Sequence, residues 1–284
     1  MSSNGFFSTS NGSSGFLESN SLVAKFAFIL LVIFAFVILL RVGVTIIGYL
    51  FKPNGSPRLI SGMIDATQQL VFYQDPSGST SSSTIYRSVN QTDGLEFTWS
   101  VWINITNLVY LDGRFRHIFY KGNSNLSSNG LNFPNNAPGL YIAPDTNALV
   151  IMMNTFNAIN EEIIIPDIPL NKWVNIIIRC ENTTLDVYIN GTISRSVELH
   201  GIPKQNYGDV YVAANGGFQG NISDLWYFNY ALGTADIQRI FDNGPNTTLV
   251  NAGPTASKDY NDYLSLRWFF YGSGDMYNPS FTQT

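Results

Sequence analysis

Apolar and polar residues alternate along most of this chain, and a period of two is the signature of half-buried β-strands. In residues 172–180, Val174, Ile176, Ile178 and Cys180 fall on one face, and Leu185, Val187 and Ile189 repeat the pattern in the next segment. A polar turn over residues 181–184 joins the two, and Asn190-Gly191, the pair best able to take positive φ, ends the second in a tight hairpin. Residues 96–104 read as an outer strand, with Phe97, Trp99, Val101 and Ile103 facing one way and Glu96, Thr98, Ser100 and Asn104 the other. Residues 220–232 read as a strand covered on both sides: Ile222, Trp226, Phe228 and Tyr230 on one face, Leu225 and Tyr227 on the other. Shorter strands are expected at 70–73, as a first strand, and at 139–142, 148–154 and 162–165, with a final one over 264–270. These faces put Trp99, Val101, Val187, Ile189, Trp226 and Phe228 in the core.

The period changes twice. Thr234 can cap a helix whose Ile237, Ile240 and Phe241 keep i, i+3, i+4 spacing, with Asp236 in the first turn and Gly244-Pro245 as the stop. Near the N-terminus, Lys25 precedes an uncharged run over 26–40, then Arg41, then a second apolar run over 42–51. The fifteen residues of the first run span only about 22 Å against a hydrocarbon core of roughly 30 Å, so flanking residues must contribute. Lys25 and Arg41 can snorkel, which makes a span over about 22–44 reasonable. A cleaved signal peptide fits less well: the leader is long, lacks a basic start, and no small-x-small site follows Leu40. A retained single-pass anchor is the reading. Its orientation stays open, because Lys25 on one side faces only Lys52 and Arg58 on the other.

These boundaries divide the chain into a low-complexity tail (1–21), an anchor (22–51), a linker (52–66), one β-sandwich (67–272) and a C-terminal tail (273–284). Beyond the anchor about 230 residues remain, enough for one large all-β core. Residues 78–84 are a Ser/Thr surface loop, and 123–138, rich in Asn, Ser, Gly and Pro, form a long loop of the kind that carries binding in sandwiches.

Several motifs follow one another in a familiar order: Trp173, Val187-Tyr188-Ile189-Asn190-Gly191, Gly220-Asn221-Ile222-Ser223-Asp224, Ala231-Leu232, then the helix at 235–241. Upstream stand Phe97-Thr98-Trp99-Ser100-Val101-Trp102-Ile103 and Ile118-Phe119-Tyr120-Lys121-Gly122. Over roughly 95–244 the chain resembles the laminin G-like, concanavalin A-like jelly-roll domains. The resemblance implies an all-β fold, an antiparallel two-sheet jelly-roll sandwich, here with an N-terminal transmembrane helix. It also implies possible calcium at the sandwich rim, for which Asp112, Asp145, Asn147 and Asp224 are the candidates. Asp112-Gly113 and Asp145-Thr146-Asn147 read equally as turns, and Asp224 as a tie to a neighbouring loop.

Chemistry is thin. The two histidines, His117 and His200, read as surface residues, and the single cysteine, Cys180, shares an apolar strand face and reads as a buried, inert thiol. One cysteine excludes disulfides within the chain and cysteine-rich zinc sites, and no Gly-x-Ser-x-Gly turn is present. The resembled fold also hosts laminarinase-type hydrolases, but their Glu-x-Asp-x-Glu strand is missing, and adjacent Glu161 and Glu162 point to opposite faces when extended. No enzyme activity and no required cofactor are therefore expected. Only 12% of residues are charged, about half the usual roughly 25%, and the net charge is −5, so there is no basic field for nucleic acid.

Eight Asn-x-Ser/Thr sequons follow the anchor, at Asn54, Asn90, Asn104, Asn125, Asn182, Asn190, Asn221 and Asn246, and are candidates for glycosylation. The tail of residues 1–21 should hold no structure of its own, and Phe6, Phe7 and Phe16 are the apolar contacts it offers a partner. The expected function is a non-catalytic, membrane-anchored sandwich. One form is a tether between a membrane and a protein shell, with capsid or coat proteins as partners, since the Asn-, Tyr- and Phe-rich composition resembles virion proteins of large DNA viruses. The other is a cell-surface glycan-binding or adhesion module.

Overall fold

The computed structural model describes residues 21–50, 55–74 and 85–250, and the chain divides into two units, 1–54 and 55–284. The first contains helix α1 (Leu22–Leu50), whose start is capped by Ser21: the Ala24 N–H bonds Ser21 Oγ at 3.1 Å. Its 29 residues extend about 43 Å, and its mean hydropathy of 3.0 over the most apolar window makes it long and apolar enough to cross a membrane.

Among the described residues the second unit holds thirteen strands and one α-helix. In chain order these are β1 (Met63–Asp65), β2 (Leu70–Phe72), β3 (Val89–Gln91), β4 (Gly94–Asn107), β5 (Arg116–Gly122), β6 (Gly139–Ile142) and β7 (Leu149–Met153). Then follow β8 (Glu161–Ile165), β9 (Trp173–Asn182), β10 (Thr184–Ile189), β11 (Thr192–Glu198), β12 (Asp209–Val212), β13 (Gln219–Phe228) and α2 (Thr234–Asn243). One sheet runs β1-β13-β4-β9-β10-β11 with β3 pairing the start of β4, and the other runs β2-β12-β5-β6-β7-β8; every pairing between these strands is antiparallel. This is the expected jelly-roll sandwich. Short β1, which the period-two pattern does not reveal, precedes the strand at Leu70.

The hairpins form where the sequence places them. Asn190 and Gly191 take φ of 52° and 75° between β10 and β11, the conformation a two-residue primed turn requires. Between the sheets, Trp99 sits at van der Waals distance from Phe119 (centroids 5.0 Å) and Tyr227 (4.8 Å), surrounded by Val101, Ile176, Ile178, Cys180 and Val187. Cys180 is fully buried, and burial pushes its thiol up to about 12. Ile189 packs only partly buried at the margin of this core.

Four expectations are corrected. First, β4 is not an outer strand: it lies between β13 and β9, and Thr98 and Ser100 on its polar face are fully buried. The Thr98 hydroxyl donates to the Tyr230 carbonyl and accepts from the Leu232 N–H, both at 3.0 Å, so its polarity is satisfied under the chain that leads into α2. Second, the faces of β13 are not those that strict alternation gives. Ser223 pairs with Trp102 and Trp226 with Ser100, so that Asp224 and Leu225 oppose Val101 alone, and Asp224 in this bulge has φ 53°. The extra residue inverts the alternation: Ile222, Leu225 and Tyr227 all enter the sandwich core, while Trp226 and Phe228 turn to the opposite face, towards α2. Trp226 remains half-exposed there, stacked on Phe228 at 5.7 Å and covered by the Arg58 guanidinium at 5.2 Å. Third, α2 has Gly233, not Thr234, at its cap position, and the Gly233 carbonyl accepts from the Asp236 and Ile237 N–H groups.

Fourth, His117 is buried rather than at the surface, whereas the His200 side chain is exposed. The outer face of the second sheet carries its own apolar layer of Tyr120, Leu131, Tyr141, Val150 and Met152. His117 lies within it, edge-on to Tyr120 and Tyr141, with Nε2 against the Gly130 carbonyl and Nδ1 without a partner. Burial lowers its pKa to about 4. The expected last strand at 264–270 lies outside the described residues, as do Phe6, Phe7, Phe16 and Asn54.

Candidate functional site

The long Asn-rich loop after β5 builds a groove at the rim of the sandwich. Its path requires Gly122: a Cβ there would meet the Asn135 carbonyl oxygen at 1.9 Å. Asn132 donates to the carbonyls of Asn123 (2.8 Å) and Asn125 (2.7 Å), and Asn136 to that of Asn132 (2.6 Å), so asparagine amides replace the ladder hydrogen bonds the loop lacks. The opposite wall is the segment before β12. Its Lys204 N–H bonds the Asn154 carbonyl at 2.9 Å, Asn206 Nδ2 donates to the Lys121 carbonyl at 3.2 Å, and Lys121 Nζ donates to the Gly208 carbonyl at 2.6 Å.

Between the walls lies an open groove of about 600 Å³, lined among others by Asn123, Asn135, Asn154, Gln205, Asn206 and Tyr207. Asn154 Oδ1 and Gln205 Oε1 are buried acceptors with no hydrogen-bond partner, although Asn154 Nδ2 is held by the Pro134 carbonyl at 2.9 Å. Both residues line the groove, whose walls are rich in side-chain amides. Tyr207 stands at its edge with 70% of its surface exposed, and Tyr211 stacks on Tyr120 at 4.9 Å inside it. Asp209 is the one carboxylate among the lining residues, and it already accepts the Gln74 N–H at 2.8 Å.

The calcium candidates separate into two places. Asp112 and Asp145 both act on the buried Arg116 guanidinium, opposing the fall in its pKa that burial causes; Arg116 in turn donates to the Pro144 carbonyl at 3.1 Å. Asn147 Nδ2 donates to the Ile168 carbonyl at 3.3 Å. Asp224 lies in the other sheet, paired with Arg58 and accepting the N–H groups of Gly62 and Asn246, each at 3.1 Å. It thus ties the chain before β1 and the chain after α2 to the β13 bulge. Among the described residues no three of His, Cys, Asp and Glu gather as a metal site. Of the sequon asparagines, Asn90, Asn125 and Asn190 are exposed, while Asn104, Asn182, Asn221 and Asn246 are half-buried.

The sequence pointed to one wall of the groove, the 123–138 loop, and missed the other. Residues 204–208 carry no periodic pattern, and only the pairing of Asp209 with Gly122 brings them opposite the loop. The signal available was Tyr207, an aromatic between Asn206 and Gly208 where a turn needs none.

Solved structures that resemble the chain include the receptor-binding domain of botulinum neurotoxin D, at 15% identity and TM-score 0.44, covering 67% of this chain and 44% of that one. The serotype D ligand-binding domain in complex with N-acetylneuraminic acid matches at 14% identity and TM-score 0.45, covering 67% and 42%. The binding domain of botulinum neurotoxin DC in complex with rat synaptotagmin II matches at 18% identity and TM-score 0.39, covering 52% and 35%. The chain thus spans less than half the length of each. No curated protein sequence matches it. Residues 77–238, more than half of the chain, fit the family model described as the concanavalin A-like lectin/glucanases superfamily, and with the sandwich and its register in place the chain belongs to that family.

Proposed function

We propose that this protein is a membrane-anchored, non-catalytic binding module that takes a neutral oligosaccharide into the rim groove. The observation that carries the reading is a polar groove lined by the side-chain amides of Asn123, Asn135, Asn154, Gln205 and Asn206, with an exposed tyrosine at its edge. Vicinal hydroxyls donate to such amide oxygens and accept from amide N–H groups, and a sugar ring stacks its C–H face on an aromatic side chain. Hydrolysis of a glycosidic bond needs two flanking carboxylates, and among the described residues Asp209 is the one carboxylate lining the groove. Glu161 is buried and occupied by the Thr155 hydroxyl (2.6 Å) and the His200 N–H (2.8 Å), while Glu162 faces the other way. Helix α1 would hold the module at a membrane in a single pass. The tether to a protein shell rests on Phe6, Phe7 and Phe16, outside the described residues, so the groove makes glycan binding the leading reading.

The full chain in detergent micelles, titrated with neutral oligosaccharides by calorimetry or saturation-transfer NMR, tests this. Binding should weaken about tenfold in Tyr207→Ala and in Asn154→Ala, about 1.4 kcal/mol each. Absence of saccharide binding, or binding indifferent to both substitutions, rejects the reading.

A further inference from the structure

Behind the Gln205–Tyr207 wall lies a second cavity of about 360 Å³, and its chemistry differs from that of the groove. Among the described residues two cations line it, Arg87 and Lys121, and no carboxylate does. Neither forms an ion pair among the described residues, where five such pairs occur. Lys121 is 6% exposed on β5, and among the described residues its ammonium has only the Gly208 carbonyl as a hydrogen-bond partner. Burial without a counter-ion draws its pKa down to about 8, despite the charge of Asp209 nearby. Lys121 is thus a buried cation without an ion pair among the described residues, and the exposed Arg87 lines the same cavity. Tyr86 and Tyr207 supply hydroxyl groups beside them, and Gln205, Asn206 and Tyr207 belong to both the cavity and the groove.

We propose that this cavity is an oxyanion subsite of the same binding surface, so that the preferred ligand is an acidic saccharide whose anionic group pairs with Arg87 and Lys121 while neutral rings occupy the groove. The inference rests on the glycan reading and specifies its ligand class. The anionic group is an oxyanion supplied either by the carboxylate of an acidic sugar or by a sulfate ester.

Three tetrasaccharide probes separate the sources: neutral chitotetraose, a hyaluronan tetrasaccharide bearing carboxylates only, and a chondroitin sulfate tetrasaccharide bearing both groups. With the full chain in micelles, the acidic probes should bind at least tenfold more tightly than chitotetraose, with an advantage that falls as salt rises. Arg87→Gln, an exposed position whose change spares the core, should remove about fivefold or more of that advantage and leave chitotetraose unaffected. A gain confined to the sulfated probe assigns the subsite to sulfate, and an equal gain for both assigns it to carboxylate. Equal affinity for neutral and acidic probes, or an acidic preference unchanged by Arg87→Gln, overturns the subsite and leaves the groove standing. Arg87-dependent binding of free glucuronate or sulfate, with no gain from the oligosaccharides, overturns the groove and leaves the oxyanion site standing.

Discussion

Acidification should destabilise this sandwich through His117. Its ring is fully buried between Tyr120 and Tyr141, with Nε2 donating to the Gly130 carbonyl and no carboxylate beside it to stabilise an imidazolium. Burial holds its pKa near 4 in the folded protein, against 6.5 when the chain is unfolded. Between those values the unfolded chain binds a proton that the folded one refuses. The stability due to the neutral ring is therefore fully present above pH 6.5 and is lost as the pH falls towards 4. The gap is worth on the order of 3 kcal/mol at 1.36 kcal/mol per pH unit. His117→Phe removes the titration and keeps the aromatic packing, at the cost of an unpaired Gly130 carbonyl, about 1–3 kcal/mol independent of pH. Urea unfolding of both proteins, followed by tryptophan fluorescence at pH 7.5, 5.5 and 4, isolates the His117 contribution as the difference between them, because other titrating groups such as Glu161 cancel. The wild type should lead at pH 7.5, and its lead should shrink by ~3 kcal/mol by pH 4. A lead that stays constant across this range refutes the assignment of a neutral, buried imidazole.

The β13 bulge gives Trp99 and Trp226 different weights: Trp99→Ala, in the sandwich core, should cost ~3–5 kcal/mol, and half-exposed Trp226→Ala clearly less, and equal shifts in the urea midpoint would contradict the face inversion. Asp224→Ala strands the Arg58 guanidinium and the N–H groups of Gly62 and Asn246, and should cost ~2–4 kcal/mol; an unchanged midpoint would show that the three ties are dispensable. Cys180, fully buried with its thiol raised to about 12, should resist a maleimide reagent in the native protein and react only after unfolding; rapid native labelling would place it at the surface instead.

The sequence by itself determined whatever depends on neighbours a few residues apart. The inward face of β9 and β10, the turn at Asn190-Gly191, the stop of α2 at Gly244 and the apolar helix near the N-terminus all follow from local period, φ preference and hydropathy, and each stands in the structure. What only the tertiary structure decided are features set by residues far apart in the chain. Strict alternation fails in β13 because one left-handed residue, Asp224, is held there by Arg58, 166 positions earlier. Thr98 and Ser100 read as solvent-facing, but α2 and its lead-in fold across them, and a hydroxyl that finds backbone partners is buried without penalty. His117 gave no sign of burial, since the loop that covers it is polar and its apolar neighbours arrive from other strands. The groove was half legible: composition marked the Asn-rich loop, but the facing wall and the Arg87–Lys121 cavity exist only because antiparallel pairing sets β12 beside β5 and places residues 204–208 opposite that loop. Periodicity records which face of a strand is covered; what covers it is a property of the assembled sheets.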